Sequence, residues 1–175
     1  MRPDNDPPRT MDIFAFLDRL CITYDRCDHV AVFTAAEAEQ HVPPLPGAKA
    51  KNLFVHDKKS GRHFLLVVPY AKRVDLKALA FVLGCGKLQF AAAERLLAHL
   101  GITPGAVSLL ALCNDRARAV DLIIDVQTWS ADALQCHPLV NTSTLVIGRD
   151  GLERFLAATG HAPHVVDVPE AALTA

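Results

Sequence analysis

The sequence predicts a single domain of the α+β class (mixed α/β), with one mixed, mostly antiparallel β-sheet surrounded by helices. Its 175 residues fit one domain with a sizeable core, and 51% hydrophobic and 21% charged residues are ordinary for a globular protein. Apolar runs of helix and strand length alternate irregularly, and a Gly-containing turn over 57–62 joins two of them as a hairpin. An irregular order that includes hairpins favours a mixed sheet.

The first half of the chain is expected to begin with a disordered tail over 1–10, which is rich in Pro, Asp and Arg, so that the folded domain spans 11–175. Apolar spacing then predicts, in order, a helix over 12–20, strands over 22–24 and 30–33, a helix over 34–41, and strands over 51–56 and 63–68. Thr34 is the expected N-cap of the second helix, because Glu37 follows at the capping-box spacing.

The second half alternates helices and strands, with glycines at several of the breaks. Helices are predicted over 75–82, 91–100 and 149–159, and strands over 88–90, 107–112, 120–126, 144–147 and 164–168. Gly101 and Gly160 follow two of the helices directly, which is the usual place for a glycine that ends a helix. The run 107–112 is apolar enough for a buried strand.

Charge is unevenly distributed along a nearly neutral chain of net charge −1. The stretch 49–95 contains ten Lys or Arg and three Asp or Glu, a net charge of +7. A basic stretch of this kind is typical of a partner that carries phosphate. The alternative is that these side chains are solvated turn and helix residues that form no common patch.

The chain lacks a secretory signal and any apolar run long enough to span a bilayer, so a cytoplasmic location without a membrane partner is expected. Its five cysteines include no Cys-x-x-Cys pair, which favours reduced thiols. Cys136 and His137 are adjacent rather than spaced as zinc ligands, and their adjacency does not provide a nucleophile with its base. We expect no metal and no cofactor.

Two polar segments, each leading into an apolar strand, are the candidate functional site. In the first, a Pro-rich loop ends at Gly47 and is followed by Lys49, Lys51 and Asn52, where loop N–H groups and a strand can hold an anion. The second segment runs from His137 to Thr144. If the fold brings the two together, they form a pocket.

These segments also carry a family resemblance. The chain resembles the YbaK/ProX family of aminoacyl-tRNA deacylases, free-standing relatives of the insertion editing domain of bacterial prolyl-tRNA synthetase. The resemblance rests on Lys-Asn-Leu-Phe over 51–54, on Gly-Ile-Thr-Pro-Gly-Ala-Val-Ser over 101–108, and on His-Pro-Leu-Val-Asn over 137–141 with Thr144 beyond it. Order and spacing agree over 11–168, nearly the whole folded chain.

The resemblance implies a mixed β-sheet with helices around it and hydrolysis of the ester that joins a wrong amino acid to the terminal adenosine of tRNA. It is strongest to the branch that clears alanine from tRNA for proline, and the cysteine-clearing relatives are the nearest alternative. Expected partners are the tRNA acceptor end and a prolyl-tRNA synthetase. Leu109 stands where family members often have Pro, which leaves a non-catalytic binding module as a further alternative.

The site residues follow from the same motifs. Lys51, Asn52, His137 and Gly105 are the expected catalytic residues; Gly47, Lys49, Ser108, Asn141 and Thr144 are the expected substrate-binding residues. An ammonium at Lys51 would hold phosphate or ribose, an amide at Asn52 would orient substrate, and the Gly105 N–H would bind the ester oxygen. The competing interpretations are a solvated Lys, a capping Asn, a buried His and a turn Gly.

Asp121 and Asp125 share one face of a predicted strand, at i and i+4. A carboxylate pair of this kind can bind a metal, but we expect surface or loop-facing acids instead.

Overall fold

The computed structural model describes residues 11–32, 37 and 40–172. In chain order its elements are α1 (Ile13–Arg19), β1 (Tyr24–Asp28), β2 (Ala48–Asp57), β3 (His63–Pro69), α2 (Leu76–Val82), β4 (Leu88–Phe90), α3 (Ala93–Leu100), a 3-10 helix (Leu109–Asn114), β5 (Val120–Asp125), α4 (Val126–Trp129), β6 (Ala133–Cys136), β7 (Ser143–Gly148), α5 (Arg149–Thr159) and β8 (His164–Val166). The predicted mixed α/β class is confirmed.

The strands form one sheet in the order β1-β7-β6-β2-β3-β5-β8, with β4 paired to β2 beside this path. The pairs β1–β7, β6–β7, β2–β3 and β2–β4 are antiparallel, whereas β2–β6, β3–β5 and β5–β8 are parallel. The sheet is therefore mixed and antiparallel in most of its pairs, as predicted.

One edge of β2 is open in its middle. Near its start, Ala48 and Lys49 pair with β6, and near its end Val55 to Asp57 pair with β4. Between these two contacts the edge of β2 has neither strand beside it, so the sheet forks. This fork is where the polar segments of the sequence meet.

The two faces of the sheet carry separate apolar clusters. Phe54 and its partner Leu65 belong to the larger cluster, which also takes up α1, the 3-10 helix and α5. Val55 and its partner Phe64 belong to the smaller cluster, together with Leu79 of α2. Because successive strand residues point to opposite faces, the alternation along β2 fixes which face each side chain occupies.

Local sequence accounts for the ends of the helices. Asp12 accepts hydrogen bonds from Phe14 N at 3.1 Å and Ala15 N at 3.3 Å, and Asp75 does the same for Lys77 N and Ala78 N. Gly101 ends α3 with a φ of +64°, a left-handed conformation that glycine adopts at little cost. These predicted boundaries are confirmed within two residues.

Three predictions about strands were wrong. The strand predicted over 22–24 forms instead over Tyr24–Asp28, and residues 30–32 are not a strand. The buried strand predicted over 107–112 is a 3-10 helix, whose first turn Ser108 caps by accepting a hydrogen bond from Leu110 N at 3.2 Å. Residues 109–113 are buried on all sides within the larger cluster, so their uninterrupted apolar pattern carried no periodicity.

Two elements were not predicted, β6 and the four-residue helix α4. The helix predicted from Thr34 to 41 lies largely outside the described residues; Glu37, Gln40 and His41 are helical. The tail predicted over 1–10 also lies outside them.

Candidate active site

A pocket of about 260 Å³ lies at the fork between β2 and β6. Six of the nine predicted site residues line it: Lys49, Lys51, Asn52, Gly105, His137 and Thr144. The rest of the wall includes Val32, Val42, Tyr70, Val107, Gln135 and Cys136. The fold thus brings together the two polar segments, which are separated by about ninety residues in the chain.

Lys51 and Asn52 reach the pocket from opposite faces of β2. Lys51 pairs with Val68 of the smaller apolar cluster, whereas Asn52 pairs with Val67 of the larger one. Burial lowers the pKa of Lys51, and the negative charge of Glu170 partly offsets this effect. Asn52 Oδ1 is buried and accepts no hydrogen bond from the described residues. A buried acceptor without a donor is available to a ligand.

Lys49 lies two residues before Lys51 on the same face of β2, and its ammonium has a different environment. Lys49 Nζ lies 4.9 Å from the centre of the Tyr70 ring, a cation–π contact at an exposed position. Lys51 is only partly exposed and forms no ion pair with any described residue. The geometry therefore distinguishes the two lysines, and Lys51 has the ammonium that is less engaged.

The ring of His137 is held in one tautomer. His137 Nδ1 lies 3.1 Å from the carbonyl oxygen of Ser143, which can only accept, so Nδ1 carries the proton. Burial lowers the pKa of His137, and the nearby His29 lowers it further, although the bond to Ser143 acts in the opposite direction. The neutral ring therefore keeps Nε2 as a hydrogen-bond acceptor at pH 7.

The hydroxyl of Thr144 is oriented from outside the pocket. His29 Nδ1 lies 2.8 Å from the Val30 carbonyl oxygen and therefore donates to it, which leaves His29 Nε2 to accept from Thr144 Oγ1 at 3.0 Å. With its proton committed to His29, Thr144 presents an oxygen acceptor to a ligand. Sequence reasoning did not identify His29.

Gly105 and Gly47 both have left-handed backbone conformations, with φ of +92° and +83°. Gly105 lines the pocket. Gly47 lies outside the lining, against Ala133 of β6, where a Cβ atom would approach the Ala133 carbonyl oxygen to 3.0 Å. The glycine at 47 is thus required by its backbone conformation and by the close approach of β6.

Ser108 and Asn141 also lie outside the pocket lining. Ser108 is buried and caps the 3-10 helix. Asn141 Nδ2 donates to the Val32 carbonyl oxygen at 3.4 Å, and the backbone carbonyl oxygen of Asn141 accepts from Val32 N at 3.2 Å. Because Val32 lines the pocket, these two hydrogen bonds let Asn141 hold one residue of the pocket wall in place.

Gln135 and Tyr70 are pocket residues that sequence reasoning missed. Gln135 lies in β6 opposite Lys49, and its Nε2 is 3.0 Å from the Leu45 carbonyl oxygen and 3.3 Å from that of Pro46. It therefore fastens the Pro-rich loop to the pocket wall. The signal in the sequence was its position two residues before His137, at the same face of an extended segment.

The acids Asp121 and Asp125 form two unrelated ion pairs. Asp121 is partly exposed and receives Arg62 Nη2 at 2.7 Å, whereas Asp125 is fully buried and receives Lys72 Nζ at 2.8 Å. The expectation of two surface or loop-facing acids was therefore wrong for Asp125. No cluster of three metal-binding side chains occurs in the part of the chain that the structure describes.

The thiol of Cys136 is unsuited to nucleophilic chemistry. The side chain is buried in the larger cluster, and burial raises the pKa of Cys136 to about 12. A thiol needs to ionise to attack, so this group is inert at neutral pH.

The basic stretch 49–95 forms no single patch. Lys49 and Lys51 lie at the pocket, whereas Lys58 and Lys59 follow the far end of β2, seven residues or about 23 Å from Lys51 along an extended strand. Lys72 is taken up by its buried ion pair with Asp125. No helix in the described residues is long and apolar enough to cross a membrane.

Comparison with known proteins gives the family. The profile of the aminoacyl-tRNA editing domain matches residues 29–155. The chain belongs to the aminoacyl-tRNA editing domain family. This membership confirms the predicted resemblance and the predicted class of enzyme, an aminoacyl-tRNA deacylase.

Individual relatives agree with this assignment. The prolyl-tRNA editing protein ProX of Acetoanaerobium sticklandii is 34% identical over 149 residues, which cover 85% of this chain and 91% of ProX. The prolyl-tRNA synthetase associated domain-containing protein 1 of Danio rerio is 37% identical over 153 residues, or 86% of this chain and 83% of the relative.

Two solved structures share the fold. A crystal structure of the hypothetical protein APE2540 superposes with a TM-score of 0.69 at 20% identity, covering 90% of this chain and 99% of the other. A crystal structure of a candidate trans-editing enzyme for prolyl tRNA synthetase gives 0.64 at 23% identity, covering 85% and 87%.

Proposed function

We propose that this protein edits in trans by hydrolysing the ester of mis-acylated tRNA for proline, and that alanine is the amino acid it removes. The observation that carries the proposal is the pocket at the β2–β6 fork, where a partly buried ammonium, an unpaired amide oxygen and an imidazole acceptor meet. The 34% identity to a prolyl-tRNA editing protein supports the choice of tRNA.

The chemistry needs positioning more than a strong nucleophile, because an aminoacyl ester is already activated. A catalyst for its hydrolysis has to hold the terminal adenosine, bind a water and stabilise the oxyanion that forms. Family resemblance adds the ribose 2′-hydroxyl of the substrate as the group that helps to activate this water. The buried thiol of Cys136 has no part in the reaction.

His137 acts as an acceptor in this scheme. Because Nδ1 donates to Ser143, the neutral ring offers only the lone pair of Nε2, which suits the substrate ammonium or the attacking water. The same tautomer excludes donation from Nε2 to an oxyanion. That task falls to the backbone N–H of Gly105, at the pocket wall.

Lys51 and Asn52 hold the substrate from the two faces of β2. The ammonium of Lys51 binds the phosphate or ribose of the terminal adenosine, and Asn52 Oδ1 accepts a hydrogen bond from the substrate. Lys49 has a secondary role at the exposed rim, where Tyr70 already holds its ammonium. Thr144 contributes an oxygen acceptor.

The lining of the pocket supports a small amino acid. The apolar wall, with Val32, Val107 and Ala50, suits the methyl group of alanine. Removal of cysteine is the second candidate. A hydrophobic pocket changes kcat/KM by only about 10- to 200-fold between two substrates whose side chains differ by one heavy atom, so the cysteine ester is the nearest competitor of the alanine ester.

The tRNA partner is recognised at its acceptor end. Lys51 meets the terminal adenosine, and the exposed Lys58 and Lys59, about 23 Å further along β2, lie within reach of phosphates of the acceptor stem. Such phosphate contacts make binding dependent on salt. A prolyl-tRNA synthetase is the proposed protein partner, supported by the relatives named for association with that enzyme.

Single-turnover deacylation of Ala-tRNA(Pro) by the wild type, Lys51→Ala and Lys49→Ala tests the proposal. Loss of one charged hydrogen-bond donor costs about 1.5–3 kcal/mol, so Lys51→Ala should reduce the rate about 10- to 150-fold. Lys49→Ala is the matched control on the same face of the strand, and loses an exposed cation–π contact that predicts at most about a fivefold reduction. Binding of the charged tRNA without turnover by the wild type would instead support the non-catalytic alternative.

A further inference from the structure

The main chain of β2 alternates between the edge that pairs with β3 and the edge that faces the fork. Tyr70 N donates to the Lys49 carbonyl oxygen at 3.1 Å. Further along the same pair, Asp57 N donates to the Arg62 carbonyl oxygen at 2.8 Å. Hydrogen-bonded positions alternate along an antiparallel pair. The N–H and carbonyl groups of the odd-numbered residues of β2 therefore point toward β3, and those of the even-numbered residues point toward the fork.

Three of the groups that point toward the fork are open at the pocket. The parallel ladder with β6 ends at Lys49, so β6 supplies no donor to the carbonyl oxygen of Ala50, the next acceptor on this edge. On the β4 side, the edge is first occupied where Ala91 N donates to the Phe54 carbonyl oxygen at 3.0 Å. Between these contacts, the N–H and carbonyl oxygen of Asn52 form no hydrogen bond with any described residue. Ala50 and Asn52 both line the pocket.

The gap in the ladder has the length of one residue. In a parallel ladder, one residue donates from its nitrogen to a carbonyl oxygen of the neighbouring strand and accepts at its own carbonyl oxygen from the N–H two residues further on. Ala50 and Asn52 are two residues apart, so they offer this acceptor and this donor to a single residue opposite Lys51. The aminoacyl group of a charged tRNA is a residue of this kind, with an ammonium as donor and the ester carbonyl as acceptor.

We propose that the main chain of β2 binds the aminoacyl group, with the Ala50 carbonyl oxygen accepting from the substrate ammonium and the Asn52 N–H donating to the ester carbonyl oxygen. The inference rests on the proposed function, because it takes an aminoacyl ester as the ligand. The Asn52 N–H becomes a second donor to the oxyanion, besides that of Gly105. His137 Nε2 is then left to bind the attacking water.

Amide hydrogen exchange measured by NMR tests the binding step without catalysis. The probe is 3′-alanylamino-3′-deoxyadenosine, an amide analogue that keeps the ammonium and the carbonyl group and resists hydrolysis. Its control carries a propionyl group, which lacks the ammonium. In the free protein, the Asn52 N–H should exchange about tenfold or more faster than that of Leu53, which points toward β3.

Saturation with the alanyl probe should slow exchange at Asn52 about tenfold or more and leave Leu53 unchanged. The propionyl probe loses the charged hydrogen bond to the Ala50 carbonyl oxygen, so it should bind about 10- to 150-fold more weakly.

A main-chain substitution tests the contribution to the reaction. Replacing the amide between Lys51 and Asn52 by an ester, with the α-hydroxy analogue of asparagine at position 52, removes the Asn52 N–H and keeps the side chain. The matched control is the same change at Leu53, whose N–H belongs to the pairing with β3. The ester at Asn52 should slow single-turnover deacylation of Ala-tRNA(Pro) about 100-fold or more. The ester at Leu53 should change this rate by at most about threefold and cause the larger loss of unfolding free energy.

Three results would overturn the inference: failure of the alanyl probe to bind, unchanged exchange at Asn52 when the probe is saturating, or equal rate losses in the two ester variants. Protection of Asn52 by the probe in a protein that hydrolyses no charged tRNA would leave main-chain binding intact and refute the proposed function instead.

Discussion

Removal of the Lys72 ammonium should destabilise the fold more than any loss of a surface charge. Asp125 is fully buried, and its carboxylate receives Lys72 Nζ at 2.8 Å, Val168 N at 3.1 Å and Gln127 N at 2.9 Å. Lys72→Met removes the countercharge and leaves the carboxylate in the interior. Breaking a buried pair in this way costs about 3–5 kcal/mol. Because two backbone N–H groups still solvate Asp125, we expect the lower end, about 3 kcal/mol.

Arg62→Met is the matched control. Arg62 pairs with Asp121, which lies on the same strand and the same face as Asp125, but both side chains are more than one-third exposed. An exposed pair contributes about 0–1 kcal/mol. The difference in unfolding free energy between the two variants therefore reports the effect of burial, because each variant breaks an ion pair between a cation and an aspartate.

Urea and thermal unfolding measure the difference. A loss of about 3 kcal/mol corresponds to a decrease of about 6–12 °C in Tm for a domain of this size, against a few degrees at most for Arg62→Met. Lys72→Met/Asp125→Leu should recover part of the loss, since it removes the unpaired charge. Equal unfolding free energies for Lys72→Met and Arg62→Met would refute the reasoning.

Three further outcomes are expected. Burial, with the charges of His99 and Arg95, lowers the pKa of His63 to about 4. Between pH 6.5 and 4 the unfolded chain therefore binds a proton at this histidine that the folded chain does not bind, so the free energy of unfolding should fall by up to about 3 kcal/mol over this range. His63→Phe should flatten this pH dependence in denaturant titrations. Asn52→Leu should raise the unfolding free energy by about 1–3 kcal/mol while reducing deacylation, and a destabilised variant would contradict an unpaired Oδ1. Lys58→Glu/Lys59→Glu should lower the salt dependence of tRNA binding and change the binding of an aminoacylated CCA trinucleotide little. Equal effects on the binding of both substrates would show that these lysines do not contact the acceptor stem.

Sequence patterns predicted the parts of the fold that depend on local chemistry. Helix α5 follows from apolar spacing and a terminal glycine, and α2 from the apolar spacing over 75–82. The β2–β3 hairpin follows from two apolar runs around one glycine-containing turn. Each of these signals lies within about twenty residues.

Elements defined by distant contacts were missed. Strand β6 has only four residues, and it exists because β7 pairs with one edge and the start of β2 with the other. The run 107–112 was misassigned because burial on every side removes the period that separates a strand from a helix. Contacts with distant parts of the chain therefore determine both β6 and the 3-10 helix.

In the site, too, residues carried by local motifs were predicted and residues placed by distant contacts were missed. Lys51, Asn52 and His137 were predicted because motifs carry them, and they line one pocket. Gln135 was not predicted, since its position at the wall depends on the parallel contact of β2 with β6. That Lys51 and Asn52 lie on opposite faces follows from the alternation along a strand, but which apolar cluster each face meets follows from the pairing with β3, which the sequence does not reveal.

The most direct test of the central claim is single-turnover hydrolysis of Ala-tRNA(Pro), Cys-tRNA(Pro) and Pro-tRNA(Pro) by the wild-type protein under one set of conditions. The proposal predicts that the alanine ester is lost about tenfold or more faster than the cysteine ester, and that the proline ester persists. Faster loss of the cysteine ester would move the protein to the cysteine-clearing branch. Equal loss of all three, or turnover of none, would contradict an alanine-editing function.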